Sequence, residues 1–179
     1  MRGIAHLVIL FELTQKVAKL RRDSPPTPVK NYKFKTTEGE VGLLDLFGNK
    51  DILFVVHNMG QGCRYCTLWA DGMNGYVNHL ESQFSLVVVS KDDPQTQRAF
   101  ANSRGWRFNM ASHGAGEYIK EQTVVMGESN MPGLVCYTRK GQDIFKKNVA
   151  SFGPRDEWTP QYNYWKRSEK MDDGGKNLI

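Results

Sequence analysis

The stretch Ile52-Leu53-Phe54-Val55-Val56-His57-Asn58-Met59-Gly60-Gln61-Gly62-Cys63-Arg64-Tyr65-Cys66 decides how this chain is read. Its first five residues are an unbroken apolar run, the pattern of a central strand covered on both faces. His57 to Gly62 make a loop. The two cysteines then open a segment in which Leu68, Trp69, Met73, Tyr76, Val77 and Leu80 recur at helical spacing, with Gly72 and Gly75 expected to bend or loosen it. A Cys-x-x-Cys pair is thus placed between a buried strand and the head of a helix. Unpaired backbone N–H groups and the helix dipole favour negative charge there. They stabilise a thiolate, the reactive form of cysteine. Cys63, at the exposed end, is the expected nucleophile, and Cys66, one turn further in, the residue that resolves a mixed disulfide. Arg64 adds positive charge beside the thiolate, and Arg64 and Tyr65 are candidate substrate contacts.

Working outward, Ile4 to Arg22 reads as a helix with a broad apolar face formed by Leu7, Leu10, Phe11, Leu13, Val17 and Leu20. Pro25, Pro26 and Pro28 end it and form a stiff connector. Asn31 to Thr37 and Glu40 to Gly42 form a hairpin about Glu38-Gly39, and Leu43 to Phe47 a short helical turn. Phe84 to Val89 is a second buried strand. Asp92-Asp93-Pro94 opens a helix that Gly105 closes. Trp106 to Ala111 suggests a third strand, and residues 112–129 show no pattern. Leu134 to Thr138 and Gln142 to Phe145 form a closing hairpin about Arg139-Lys140-Gly141. This order predicts a three-layer α/β/α sandwich with a mixed central sheet, an N-terminal helix and an N-terminal β-hairpin. Residues 1–30 are the helix and connector, 31–168 the domain, and 169–179 a polar tail.

The composition narrows the function classes. The chain has 179 residues, with Lys+Arg 24 against Asp+Glu 19 and a formal charge of +5. The basic residues are scattered and match no nucleic-acid motif, so they read as a solvated surface. Three cysteines, an odd number, do not make a secreted disulfide framework. No stretch is long enough to span a bilayer. Ile4 to Phe11 is short, contains His6 and lacks a cleavage pattern, so a reducing, cytoplasmic location without a membrane partner is expected. Half of a zinc site shares the cysteine spacing. Cys136 and one of His57, His79 or His113 could complete it, but no second paired motif exists, and no metal or cofactor is expected. Cys136 alternates with Leu134 on a strand and should face the core. The aromatics Trp158, Tyr162, Tyr164 and Trp165 are expected on the body of the domain or at a subunit contact, which leaves a homodimer open.

Together these residues resemble the thioredoxin-like superfamily. Gly62-Cys63-Arg64-Tyr65-Cys66, Trp69-Ala70-Asp71-Gly72, Arg104-Gly105-Trp106, Pro132-Gly133-Leu134 and Phe152-Gly153 are similar to the bacterial domain-of-unknown-function family 899, a thioredoxin-like family without a settled activity. The resemblance runs from about Glu12 to Trp165. It implies that Met131-Pro132, just before a strand, holds the place of a cis-proline that packs on the dithiol and helps bind substrate. It also places His57, six residues before Cys63, where thioredoxins carry a buried acid, making it a candidate proton shuttle for Cys66. His113 follows the third predicted strand and is a weaker candidate; Asp71 is expected to pack its helix. A peroxiredoxin carries Thr or Ser three residues before its peroxidatic cysteine; Gly60 stands there relative to Cys63, and Cys63 relative to Cys66. Gly62 and Arg64-Tyr65 also depart from the thioredoxin Trp and Gly-Pro. The expected activity is thiol–disulfide exchange on a protein or small-molecule disulfide, with an unidentified thiol reductant recycling the pair. A thiol peroxidase is the enzymatic alternative, and a metal-binding or redox-sensing module the other.

Overall fold

The central sheet grows from alternation. Along β4 (Ile52–His57), Leu53, Val55 and His57 leave one face, while Phe54 and Val56 leave the other. The structure, a computed structural model, describes residues 2–152, with side chains from residue 7; the aromatics Trp158, Tyr162, Tyr164 and Trp165 and the polar tail lie outside these.

In chain order the elements are α1 (Arg2–Asp23), β1 (Thr27–Val29), β2 (Lys33–Thr36), β3 (Gly39–Gly42), a 3-10 turn (Asp45–Phe47), β4, α2 (Arg64–Asn74), α3 (Val77–Glu81), β5 (Ser85–Ser90), α4 (Pro94–Arg104), β6 (Asn109–Ser112), α5 (Glu117–Glu121), β7 (Gly133–Lys140) and β8 (Asp143–Ser151). The eight strands lie in the order β1-β8-β7-β4-β5-β6-β2-β3. β4, β5 and β6 are parallel; β7 runs antiparallel to β4, and the sheet is mixed as expected. One face packs Val56, Leu86 and Val88 beneath α2, α3 and α4, through Trp69, Met73, Val77 and Ala101. The other packs Leu53, Val55, Val87 and Val135 beneath α5 and the 3-10 turn. The hairpin closes over this second face: Phe34 meets the Tyr118 ring at 4.7 Å between centroids. The three-layer sandwich and its thioredoxin-like arrangement are therefore present.

Local signals in the sequence set the bounds of the helices. Asp93 caps α4 by accepting from the N–H groups of Gln95 and Thr96, Pro94 takes the first helical position, and Gly105 ends the helix in the left-handed region. The expected long cysteine helix is two helices, divided at Gly75, whose N–H already returns to the Gly72 carbonyl.

Three features differ from expectation. Thr27–Val29, within the proline connector, pairs with β8 as an edge strand; at an edge, the N–H that Pro28 lacks is not required by the ladder. β8 is longer than predicted because a register shift opposite Cys136/Tyr137 sets Lys147 out of the ladder and hides the two-residue period. That lysine caps the end of α1, donating to the Arg22 carbonyl at 2.9 Å and to that of Ser24. The third strand starts later than predicted, because Trp106 and Phe108 turn into the core beneath α4.

α1 ends on this cap, and its described side chains from Leu7 to Leu20 are all exposed. Among the described residues, no helix is long and apolar enough to cross a membrane.

Candidate functional site

Cys63 is the N-cap of α2. Its sulfur accepts the Cys66 N–H at 3.2 Å, and its carbonyl accepts the Thr67 N–H and hydroxyl. The position is half-buried, with exposed Gly62 and Arg64 on either side. Cys66, one turn on, is fully buried among Val56, Trp69 and Ala70, and its sulfur accepts the Met59 N–H at 3.5 Å. Both thiols are free. Hydrogen bonding from the Cys66 thiol, helped by the backbone N–H groups of Cys66 and Tyr65, outweighs burial and brings the Cys63 thiol down to about 7. The same bond, seen from its donor side, combines with burial and the adjacent Cys63 charge to drive the Cys66 thiol far above its ordinary range.

The loop between β4 and α2 is held by two side chains and a backbone turn. Gly60 donates to the Asn58 side-chain oxygen at 2.8 Å, and its own carbonyl accepts from Cys63 N–H at 3.0 Å. Gln61 N–H binds the Asp92 carboxylate at 2.8 Å. Gly60 has φ +110°, and a Cβ there would sit 2.9 Å from the Asp92 carboxylate. Neither threonine nor serine fits that backbone and space. The hydroxyl a peroxiredoxin carries three residues before its cysteine is therefore excluded by the shape of this loop relative to Cys63.

Register brings Met131-Pro132 to the same end of the sheet: Gly133 pairs with His57, so Pro132 lies beside the start of the cysteine loop. The peptide bond is trans, as are all those described, so of the two forms open to a proline at this place Met131-Pro132 has the ordinary one. Pro132 is buried at the head of β7, with its carbonyl accepting from Phe152 N–H at 2.9 Å, the ordinary role of a proline that starts a strand. Gly133 is required by packing, since a Cβ would stand 2.4 Å from the Ala150 carbonyl.

His57 leaves β4 on the face opposite Val56 and α2. Its Nε2 meets the Tyr118 hydroxyl at 2.8 Å, and burial lowers its basicity to about 3, so it is neutral at pH 7. A chain of hydrogen bonds continues from it through buried Tyr118, Tyr137, Gln122 and Tyr32 and ends at the surface on Glu121. Tyr118, Gln122 and Glu121 were invisible in the sequence because they lie on and beside a five-residue helix with no periodic flank. His113 is buried at the end of β6 with its Nδ1 accepting from Ala115 N–H, and burial lowers it to about 4. His79 is exposed. Cys136 is half-buried on the α2 face of the sheet. No group of three or more His, Cys, Asp or Glu side chains gathers to hold a metal ion among the described residues.

α2 is fixed at its far end as well. Asp71 accepts from two nitrogens of Arg104 and from Trp106 Nε1, at 2.7 Å for the indole. Trp69 packs edge-to-face on Phe152 at 5.3 Å. The dispersed fragments Trp69-Ala70-Asp71, Arg104-Gly105-Trp106 and Phe152 thus form one clamp around the cysteine helix.

Residues 6–169 match the family described as bacterial protein of unknown function (DUF899). The chain belongs to this family. No curated protein sequence matches it. Solved structures of similar fold include a peroxiredoxin-like protein from Aquifex aeolicus, with 17% identity over 70% of this chain and 74% of that one, at a TM-score of 0.56. Reduced Prx3 from Vibrio vulnificus matches at 14% identity over 82% of this chain and 98% of its own, with the same TM-score. Peroxidoxin BcpB from Mycobacterium tuberculosis matches at 18% identity over 70% and 84%, with a TM-score of 0.53. At such identities the likeness establishes the fold of this DUF899 protein, and the chemistry must be argued from its own residues.

Proposed function

We propose that this DUF899 protein is a thiol–disulfide oxidoreductase. The observation that carries the reading is the asymmetry of the pair: a half-buried sulfur at the helix cap with its acidity raised, and a buried sulfur one turn in with its acidity suppressed. The Cys63 thiolate attacks one sulfur of a substrate disulfide, forming a mixed disulfide and releasing the other sulfur as a thiolate. Cys63 is then neutral. The hydrogen bond and charge that suppressed Cys66 ionisation are removed, so Cys66 loses its proton and attacks the Cys63 sulfur. The second substrate thiolate departs, the Cys63–Cys66 disulfide forms, and the substrate disulfide has been reduced to two thiols. A thiol reductant restores the pair. Arg64, Tyr65, Met131 and Pro132 are the proposed substrate contacts. His57 enters as a positioning residue: bonded to Tyr118 on the far face, it fixes the strand end from which the cysteine loop departs.

The second reading is a thiol peroxidase, which the peroxiredoxin-like fold of the neighbours favours and the glycine at position 60 disfavours. Hydrogen peroxide would give one oxygen to the Cys63 thiolate, forming a sulfenic acid and releasing its other oxygen as water, and a second water would leave as Cys66 closes the disulfide. Comparing reduction of a model disulfide with that of hydrogen peroxide in the wild type, Cys63→Ser and Cys66→Ser separates the two. Disulfide exchange abolished by Cys63→Ser, and halted at a trapped mixed disulfide by Cys66→Ser, supports the proposal. Turnover of peroxide alone supports the second reading, and activities unchanged by both substitutions contradict each.

A further inference from the structure

We infer that α1 is a self-association element whose occupant is the α1 of a second copy, packed antiparallel. Eight large apolar side chains of this helix are 38–67% exposed, among them Leu7 at 67% and Phe11 at 65%. Summed over all sides of the helix they present on the order of 800 Å², about what each partner gives to a standard interface, which a second helix covers only together with the body of the domain beside it. Leu10, Leu13, Val17 and Leu20 recur at steps of three, four and three residues, the spacing of a helix-pairing seam. Thr14, on the edge of that seam, satisfies its hydroxyl internally on the Leu10 carbonyl at 2.8 Å.

Direction follows from charge. Lys16, Lys19, Arg21 and Arg22 crowd the C-terminal half of the helix, whereas residues 7–11 are an uncharged apolar run. Parallel pairing would set the cations against their own copies; antiparallel pairing sets each basic half beside an uncharged one. Leu10 then opposes the partner's Leu20, and Leu13 the partner's Val17. This places the partner's Leu7 and Phe11 at the foot of α1. Two adjoining clefts open there: a mixed one of about 320 Å³, where Val17, Leu20 and Val149 stand beside Arg21, Lys146 and Lys147, and an apolar one of about 410 Å³ walled by Phe54, Leu134 and Phe152, which is the one that suits these side chains. The second cleft covers the flank that a two-helix seam leaves bare. A bilayer surface would bury one side only of a helix that is apolar all round at residues 7–11.

The test is sedimentation of the full chain between about 1 and 100 µM, an interval that brackets micromolar affinity. The wild type should run as a dimer at the upper end, and Leu13→Glu with Val17→Glu as a monomer with an unchanged circular dichroism spectrum, since both side chains are exposed. In chains whose native cysteines are serine, oxidising a mixture of Leu10→Cys and Leu20→Cys should yield the mixed covalent dimer. A wild type that stays monomeric throughout overturns the inference, as does a dimer that survives the double substitution. A monomer that sediments with phosphatidylcholine–phosphatidylglycerol vesicles overturns it in favour of a membrane surface.

Discussion

Cys63 and Cys66 are the same residue type three positions apart, yet their surroundings drive their acidities in opposite directions. The sequence signal for this is strong, because a helix head after a buried strand is legible from an apolar run and a Cys-x-x-Cys pair. The histidines were less legible. The resemblance makes His57 a candidate proton shuttle by its place at the strand end, but spacing along a strand end does not say which face a side chain leaves. Alternation from Val56 sends it to Tyr118. Buried neutral, His57 and His113 resist protons that the unfolded chain accepts near the usual 6.5. The unfolded state therefore binds more protons between about 6.5 and 3, so stability falls as pH is lowered through that window and rises as it is raised. Urea midpoints measured from pH 7 to 4 should show this decline, and His57→Gln should flatten it; an identical slope in the variant would exclude His57 as its source.

At the scale of elements, the clamp on α2 is the device that sets the dithiol against the sheet. Its parts lie 33 and more residues apart, so the sequence offered recognisable fragments without showing that they meet. Asp71→Asn, which weakens the partly exposed Arg104 and Trp106 contacts, should cost about 2 kcal/mol. Trp69→Ala, which empties a buried site against Phe152, should cost about 3–5 kcal/mol. Denaturant titration of both variants checks the order; a larger loss for Asp71→Asn would mean that packing is not the dominant part of the clamp. Gly133→Ala forces a methyl group into the Ala150 carbonyl and should destabilise by about 1–3 kcal/mol, whereas the same change at exposed Gly62, where a Cβ meets nothing within 4 Å, should be close to neutral.

Across the whole molecule, strand order was legible in its centre and hidden at its edges. The runs that became β4 and β5 are continuous and apolar, so burial on both faces could be read directly. β1 and the far half of β8 carry proline, lysines and a register shift, and their pairing is set by partners distant in sequence. The apolar spacing of α1 marks it as a helix, but an apolar face in sequence does not say what covers it. Hydrogen exchange should reflect this gradient. Amides of β4, β5 and β7, whose Leu53, Val55, Val88, Val89 and Val135 are fully buried, should exchange only on global unfolding. Amides of α1 should exchange fast in dilute solution and slow as protein concentration rises. Concentration-independent protection of α1 would indicate that its cover comes from within the chain.

The asymmetry of the pair is read out by the pH dependence of thiol alkylation in the reduced protein, resolved by residue with mass spectrometry. The unequal pair predicts that Cys63 is alkylated with a midpoint near 7, while Cys66 stays unmodified across the same range. Equal alkylation of the two thiols, or a Cys63 midpoint at the ordinary value near 9, would contradict it.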